Sequence, residues 1–369
     1  MVMGMKTNTK TKGRATSRTN RPTAPGCHSA EPKAADQVPK LRSPQDLLQA
    51  APNLLGYAPI DCLVAMVTRG GTVHLTLGTP LQAVESPGGP QYVLERLMIT
   101  SDGGQDWAFR VFLIGYGERG RALAAVRSMR DLLAERVVDS FIVDSGRWWF
   151  ADKVGLSPGR PLPETDRWAG GMARPGASRS RDDLAASLAA PTGEREDAMV
   201  EVLLKALDEV PEDPSAASQL VLDTLAAWRG GEPLSDLDYV AAGVAMAAGP
   251  ARDQVWRWLS RDRAVECLPF WKQVLARTPH GARPIVLAVT GFHAWIAGDG
   301  AVLNICCEEA AASRSQNSLV LLVDQIARSA LPSTCWEVVL DHLACRVTAT
   351  GDSLEAGLVE SPEVQMVPV

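Results

Sequence analysis

The chain has 369 residues, 46% hydrophobic and 22% charged, with a net charge of −6, a composition that excludes low-complexity and fibrous classes and leaves room for two domains. No apolar run reaches the roughly 20 residues of a membrane-spanning helix, and the start MVMGMKTNTKTKGR has no apolar core for a signal peptide. No membrane association is expected, and cytoplasm is the expected compartment.

Seven cysteines (27, 62, 267, 306, 307, 335, 345) are odd in number and show no CxxC spacing, which reads as reduced thiols. The adjacent Cys306 and Cys307 read as small apolar helix residues. Residues 1–42 carry nine Lys/Arg against Glu31 and Asp36, a net of +7 that leaves −13 for the rest. This arm is rich in Thr and Pro and has no core, the pattern of a solvated, disordered leader. Nucleic-acid contact through residues 1–42 is the alternative, weakened because no aromatic residue is present to stack on bases.

Ser43, Pro44 and Asp46 mark a helix start, with an N-cap, a first-turn proline and an acid in the first turn. Residues 60–68 form an apolar run with little alternation, a strand buried on both faces. Arg69, Gly70 and Gly71 signal a hairpin into a half-exposed strand over 72–77. A loop at 85–90, a short helix over 91–100 and a turn at 102–104 follow. Residues 108–114 are a strand, 115–120 a glycine-rich turn with an amphipathic helix after it, 137–143 a second strand, and 147–150 a hairpin return. This is a βαβ unit within a mixed sheet.

Residues 151–178 are Gly/Pro-rich and aperiodic, a linker or a loop draped over the sheet. Ser180 to Asp183 resembles a capping box. Beyond it the pattern is helical: 181–189, 194–209, 215–229, 235–248, 250–260, 264–277, 281–297, 299–312, 316–330 and 333–345. The pair 281–297/299–312, with small residues at its contacts and Gly298 in its turn, resembles a tetratricopeptide-like hairpin; a plain helical bundle is the competing reading. Residues past 350 read as a frayed tail.

Five stretches recur in a familiar order: SPQDLLQAAPNLLGYAPIDCLVAM (43–66), FLIGYG (112–117), VVDSFIVDSGRWW (137–149), SRDDLAASL (180–188) and FHAWIAGDGAVLNICCEEA (292–310). Over about 43–345 the chain resembles the actinobacterial domain of unknown function 4192 family. The resemblance implies an organisation and no mechanism, because the family has no established activity. Many members carry a cysteine-rich segment ending in Cys-Pro-x-Gly after the Trp-Trp pair. Here that place reads ADKVGLSPGRPL, with Ser157 before Pro158, so a metal or disulfide site there is not expected.

Gly115, Gly117 and Gly120 fit GxGxxG between a strand and a helix, the context of a pyrophosphate-binding turn. Asp139 lies near the spacing of a ribose-binding acid, and Asp144 ends the next strand. Against this, Glu118 sits inside the turn and would repel a phosphate, and two strands precede the motif. The resemblance covers only the Gly-Tyr-Gly part. A structural strand–helix turn is the preferred reading. In the second candidate, Asp144 and Arg147 flank a tight turn, and Trp148 and Trp149 must face opposite sides of the strand. One tryptophan then needs a helix, the following loop or a ligand as cover, and Arg147 beside it suits an anion or ring contact.

Catalytic constellations are thin. The histidines (28, 74, 280, 293, 342) show no metal-ligand spacing, no GxSxG or Walker A motif stands in a suitable context, and His293 near Trp295 reads as a core histidine. The expected architecture is a basic arm (1–42), an α/β mixed-sheet domain (43–155), a linker or covering loop (156–179), an all-α domain (180–346) and a tail (347–369). The expected function is a non-enzymatic interaction or regulatory protein with a helical binding platform, no cofactor, no metal and a protein partner. A nucleotide-binding role for the 115–120 turn is the second reading.

Overall fold

The computed structural model describes residues 43–100, 109–152, 155–163 and 180–340. The arm (1–42), the turn at 102–104, most of the Gly/Pro-rich stretch and the tail lie outside the described residues.

Helix α1 (Pro44–Leu55) starts as its residues dictate: the Ser43 hydroxyl accepts from Asp46 N–H and the Asp46 carboxylate accepts from Ser43 N–H, a complete capping box. The chain then enters β1 (Cys62–Arg69), buried at seven of its eight positions. Strands β2 (Thr72–Pro80), β3 (Arg110–Tyr116), β4 (Val137–Asp144), β5 (Arg147–Phe150) and β6 (Arg160–Pro161) complete a six-stranded sheet in the order β2-β1-β3-β4-β5-β6. Only β3 and β4 pair in parallel, joined by helix α4 (Arg119–Leu133); the other neighbours are antiparallel. The sheet is therefore mixed, with one βαβ crossover at its centre.

Alternation divides the strand residues between two faces. Leu63, Ala65, Leu113, Ile142 and Trp149 meet α4 and the helices α2 (Leu81–Glu85) and α3 (Gly89–Thr100) through Val126, Met129, Val84 and Leu97. The opposite face carries Met66, Ile114, Phe141 and Trp148, all buried, and α1 packs there against β2. Both tryptophans find protein cover. The Trp149 ring lies under the Arg119 guanidinium, 5.4 Å away, and against Gly159. Trp148 packs edge-on to Phe141 (5.9 Å) and Phe150 (5.3 Å), with Arg160 5.3 Å from its ring. Ser157 pins this cover: its N–H donates to Phe150 O and its hydroxyl accepts from Phe150 N–H, both at 3.0 Å.

From Ser180 onward the chain is helical: α5 (Arg181–Ser187), α6 (Glu194–Glu209), α7 (Pro214–Arg229), α8 (Asp236–Ala247), α9 (Gly249–Trp258), α10 (Arg261–Leu275), α11 (Arg283–Ala297), α12 (Gly300–Ala312) and α13 (Ser318–Arg328). Their ends fall within three residues of the sequence expectation, because Ser180, Asp213, Ser235, Ser260, Asp299 and Asn317 all accept as N-caps. The tenth expected helix starts at 335 and is described as far as residue 340. Helix α11, apolar all round, is the central one, packed by α8, α10, α12 and α13. No described helix is long and apolar enough to cross a membrane.

His293 sits fully within this core. Its Nδ1 is 2.8 Å from Val289 O and its ring lies 4.8 Å from that of Trp271. Burial pushes its pKa down to about 4, outweighing the bond to Val289. The unfolded chain, with a His pKa of about 6.5, therefore binds a proton that the folded chain refuses. The stabilisation is complete above pH 6.5 and falls as pH drops toward 4, by at most about 3 kcal/mol at 1.36 kcal/mol per pH unit. His293→Gln should flatten this part of the urea-unfolding profile between pH 7 and 4. An unchanged slope would show that other groups carry it.

Candidate functional site

The glycine-rich turn is built for packing. Gly115 on β3 faces α4 so closely that a Cβ there would stand 2.9 Å from Ala122 O. Gly117 has φ +128°, and a Cβ on it would collide with the Asp61 carboxylate. The Glu118 side chain caps α4 by accepting from the N–H groups of Gly120 (2.8 Å) and Arg121 (2.9 Å), and these two bonds hold its carboxyl below the usual range. A pyrophosphate at this turn would need the same N–H groups. Asp139 sits on β4 with its carboxyl pushed up by burial. Asp144 accepts from the Ser145 hydroxyl at 2.8 Å in the β4–β5 hairpin. Arg147 donates to Gly159 O at 2.7 Å, helping to fix the segment over the tryptophans.

The structure draws a different group together. Parallel strands β3 and β4 end at Tyr116 and Asp144, and β1 begins on that same edge, with Cys62 opposite both Tyr116 and Pro80. Outside this edge lies a cleft of about 760 Å³, large enough for a small molecule and placed at the carboxyl ends of the parallel strands. One wall comes from the sheet half: Tyr57, Asp61, Cys62, Gln82 and Arg121. The other comes from the helical half: Arg181 and Asp182 on α5, Asn304 and Glu308 on α12.

Charge in the cleft is paired within each wall. Arg121 donates twice to Glu85 (2.9 Å each) and stands 3.9 Å from Asp61; its guanidinium holds the Glu85 carboxyl below the usual range. Arg181 donates to both Glu308 oxygens at 2.6 and 2.7 Å. Asp61 takes a left-handed φ of +42°, uncommon for a residue other than glycine, and its carbonyl accepts from Leu81 N–H at 2.7 Å. That backbone sets the carboxylate over Gly117, with 58% of the side chain exposed. Deeper in, burial pushes the Cys62 thiol up to about 12. Burial likewise raises the Tyr57 hydroxyl, aided by the neighbouring Cys62, and the Tyr116 hydroxyl, which has no hydrogen-bond partner among the described residues.

Of the candidate site residues read from sequence, Gly117 alone adjoins the cleft, through Asp61. Asp144, Arg147, Trp148 and Trp149 do not line it. Sequence reading passed over Asp61, Arg121, Arg181 and Glu308, although a signal existed. Three of the five stretches carrying the resemblance, 43–66, 180–188 and 292–310, supply lining residues, and a fourth, 112–117, backs Asp61. Among the described residues no group of three or more His, Cys, Asp or Glu is arranged to hold a metal ion. Residues 44–333 match the model of a family described as Domain of unknown function (DUF4192). No curated protein and no solved structure matches the chain.

Proposed function

The chain belongs to the DUF4192 family, and from the geometry of its cleft we propose a non-enzymatic regulatory protein that binds a small polar ligand between its sheet and its helices. The observation that carries this reading is the convergence of stretches far apart in sequence on one polar cleft with a wall from each half. Both walls present both signs of charge, Asp61 and Arg121 on one, Arg181, Asp182 and Glu308 on the other, which suits a dipolar or zwitterionic molecule. General acid–base catalysis favours a group titrating near neutral pH. No histidine is among the residues lining the cleft, and Cys62 stays a thiol at neutral pH, so binding is the better-supported role. Output to a protein partner is assigned to the helical half, where Val200, Leu204 and Leu207 leave an exposed apolar stripe along α6.

A thermal-shift screen of the full chain against zwitterionic metabolites, carboxylates and nucleotides tests this reading. A ligand at about 100-fold above its Kd stabilises by about 2.7 kcal/mol. The expected result is a hit whose shift disappears in Arg181→Gln and Asp61→Asn. A panel with no hit on wild type counts against the ligand role. A nucleotide shift that survives both substitutions and vanishes in Gly117→Val would transfer the site to the 115–120 turn.

A further inference from the structure

A second concavity, of about 370 Å³, runs beside the cleft along β2. Six consecutive residues, 73–78, line it. Successive strand residues point to opposite faces, so a hollow touched by all six follows the edge of the strand and neither face. Strand β2 is the outermost strand of the sheet, and no residue among those described pairs with its outer edge. Nine residues long, it leaves a row of backbone N–H and C=O groups open to another strand.

The facing wall comes from the end of α11, the start of α12, the last turn of α13 and the chain just after it. Trp295, Leu303, Ile326 and Leu331 make it apolar, and the Trp295 indole N–H is fixed by Leu331 O at 2.6 Å. Arg96 ties this wall to the sheet half by donating to Ala327 O and Arg328 O at 3.1 and 2.7 Å. The charged residues lining the hollow are Arg96, Arg181 and Arg261, with His74 beside them and no Asp or Glu. Arg261 is exposed and forms no ion pair with any described residue. Beyond residue 42 the chain carries a net −13, so a groove lined by arginine without acid departs from the charge of the rest.

We propose that this groove binds an extended, acidic segment of a partner protein, which adds a strand to the free edge of β2. Backbone pairing holds the peptide, its apolar side chains contact Leu75, Leu77 and Trp295, and its carboxylates face Arg261, since Arg181 is already held by Glu308. The open strand edge and the apolar wall favour a peptide over a nucleic-acid strand, for which the groove offers only the largely buried rings of Trp295 and Tyr57 as stacking surfaces. This site is separate from the polar cleft, although Tyr57, Gly78, Arg181 and Asn304 border both.

Fluorescence anisotropy on the full chain provides the test, with a labelled peptide of alternating valine and glutamate matched in length to β2. The acidic probe should bind, and its lysine counterpart should not. Arg261→Glu should weaken binding by roughly tenfold or more. Two probes N-methylated at alternate backbone nitrogens, one in each register, should differ, because successive N–H groups point to opposite edges of an extended peptide. N-methylation on the edge that pairs with β2 should lose binding, and the complementary register should keep it. Arg121→Gln, outside the groove, should leave peptide affinity unchanged even where it abolishes small-molecule binding, so the two sites fail independently. The proposal is overturned if the acidic probe does not bind, if Arg261→Glu or N-methylation in both registers leaves its affinity intact, or if a single-stranded oligonucleotide displaces it.

Discussion

An Arg283→Ala variant should lose about 3–4 kcal/mol of folding stability, the lower part of the roughly 3–5 kcal/mol found when one member of a buried ion pair is removed. The Arg283 side chain is only 3% exposed. It stands at the start of α11 and pairs with both carboxylate oxygens of Glu309 on α12. It also donates to Leu275 O at the end of α10 (2.7 Å) and to Leu188 O just after α5. One guanidinium thus satisfies carbonyls that two helix ends would otherwise leave unpaired, and joins four helices. Truncation leaves those carbonyls and the Glu309 charge without their donor. Glu309 keeps 36% exposure, so water recovers part of the loss, and the lower end of the range for a fully buried pair applies. Denaturant unfolding should show a lower midpoint with an unchanged slope. Arg283→Met retains the volume but not the donors, and should lose nearly as much. If Met restored stability, packing and not hydrogen bonding would be what Arg283 supplies.

Trp256→Ala should cost about 3–5 kcal/mol, the usual range for removing a buried aromatic side chain. Trp256 is 1% exposed and stacks on Phe292 with 3.9 Å between ring centroids. Trp336 stands edge-on to both rings, at 6.5 and 5.2 Å, and donates its indole N–H to Leu259 O at 2.8 Å. The cluster thereby binds α9, α11 and the segment 335–340 into one core. The Trp256 indole N–H has no acceptor among the described residues. Trp256→Phe, which deletes that buried donor, should therefore lose less than half of what Ala loses, as read from the same unfolding midpoints. Equal losses would mean that indole volume, not ring stacking, governs the site.

Local structure was legible because its causes are local. Ser43, Ser180 and Ser235 form complete capping boxes within three residues of themselves, and the change of period after Tyr116 marks the crossover that places β3 beside β4. The Trp148–Trp149 pair was also readable as far as its opposed faces, since strand geometry alone requires them. What covers each ring depended on Ser157 and Gly159 folding back across β5. The short helix α2 was missed because Leu81–Glu85 is too brief to show a helical period.

The candidate site was far less legible. GxGxxG drew attention to Gly115, Gly117 and Gly120, yet the Glu118 carboxylate occupies their helix end, and Arg121, one residue further on, is the group that reaches the cleft. Neither Asp61 nor Glu308 has a sequence neighbour that marks it, because Arg181 and Glu308 are 127 positions apart. Composition, periodicity and capping thus determined by themselves a mixed α/β half followed by helices, since each of these signals acts over a few residues. Which charges share a cleft, and which strand edge stays open beside an arginine-lined wall, was decided only when the two halves packed. A contact across more than a hundred residues has no period or spacing for a sequence to display.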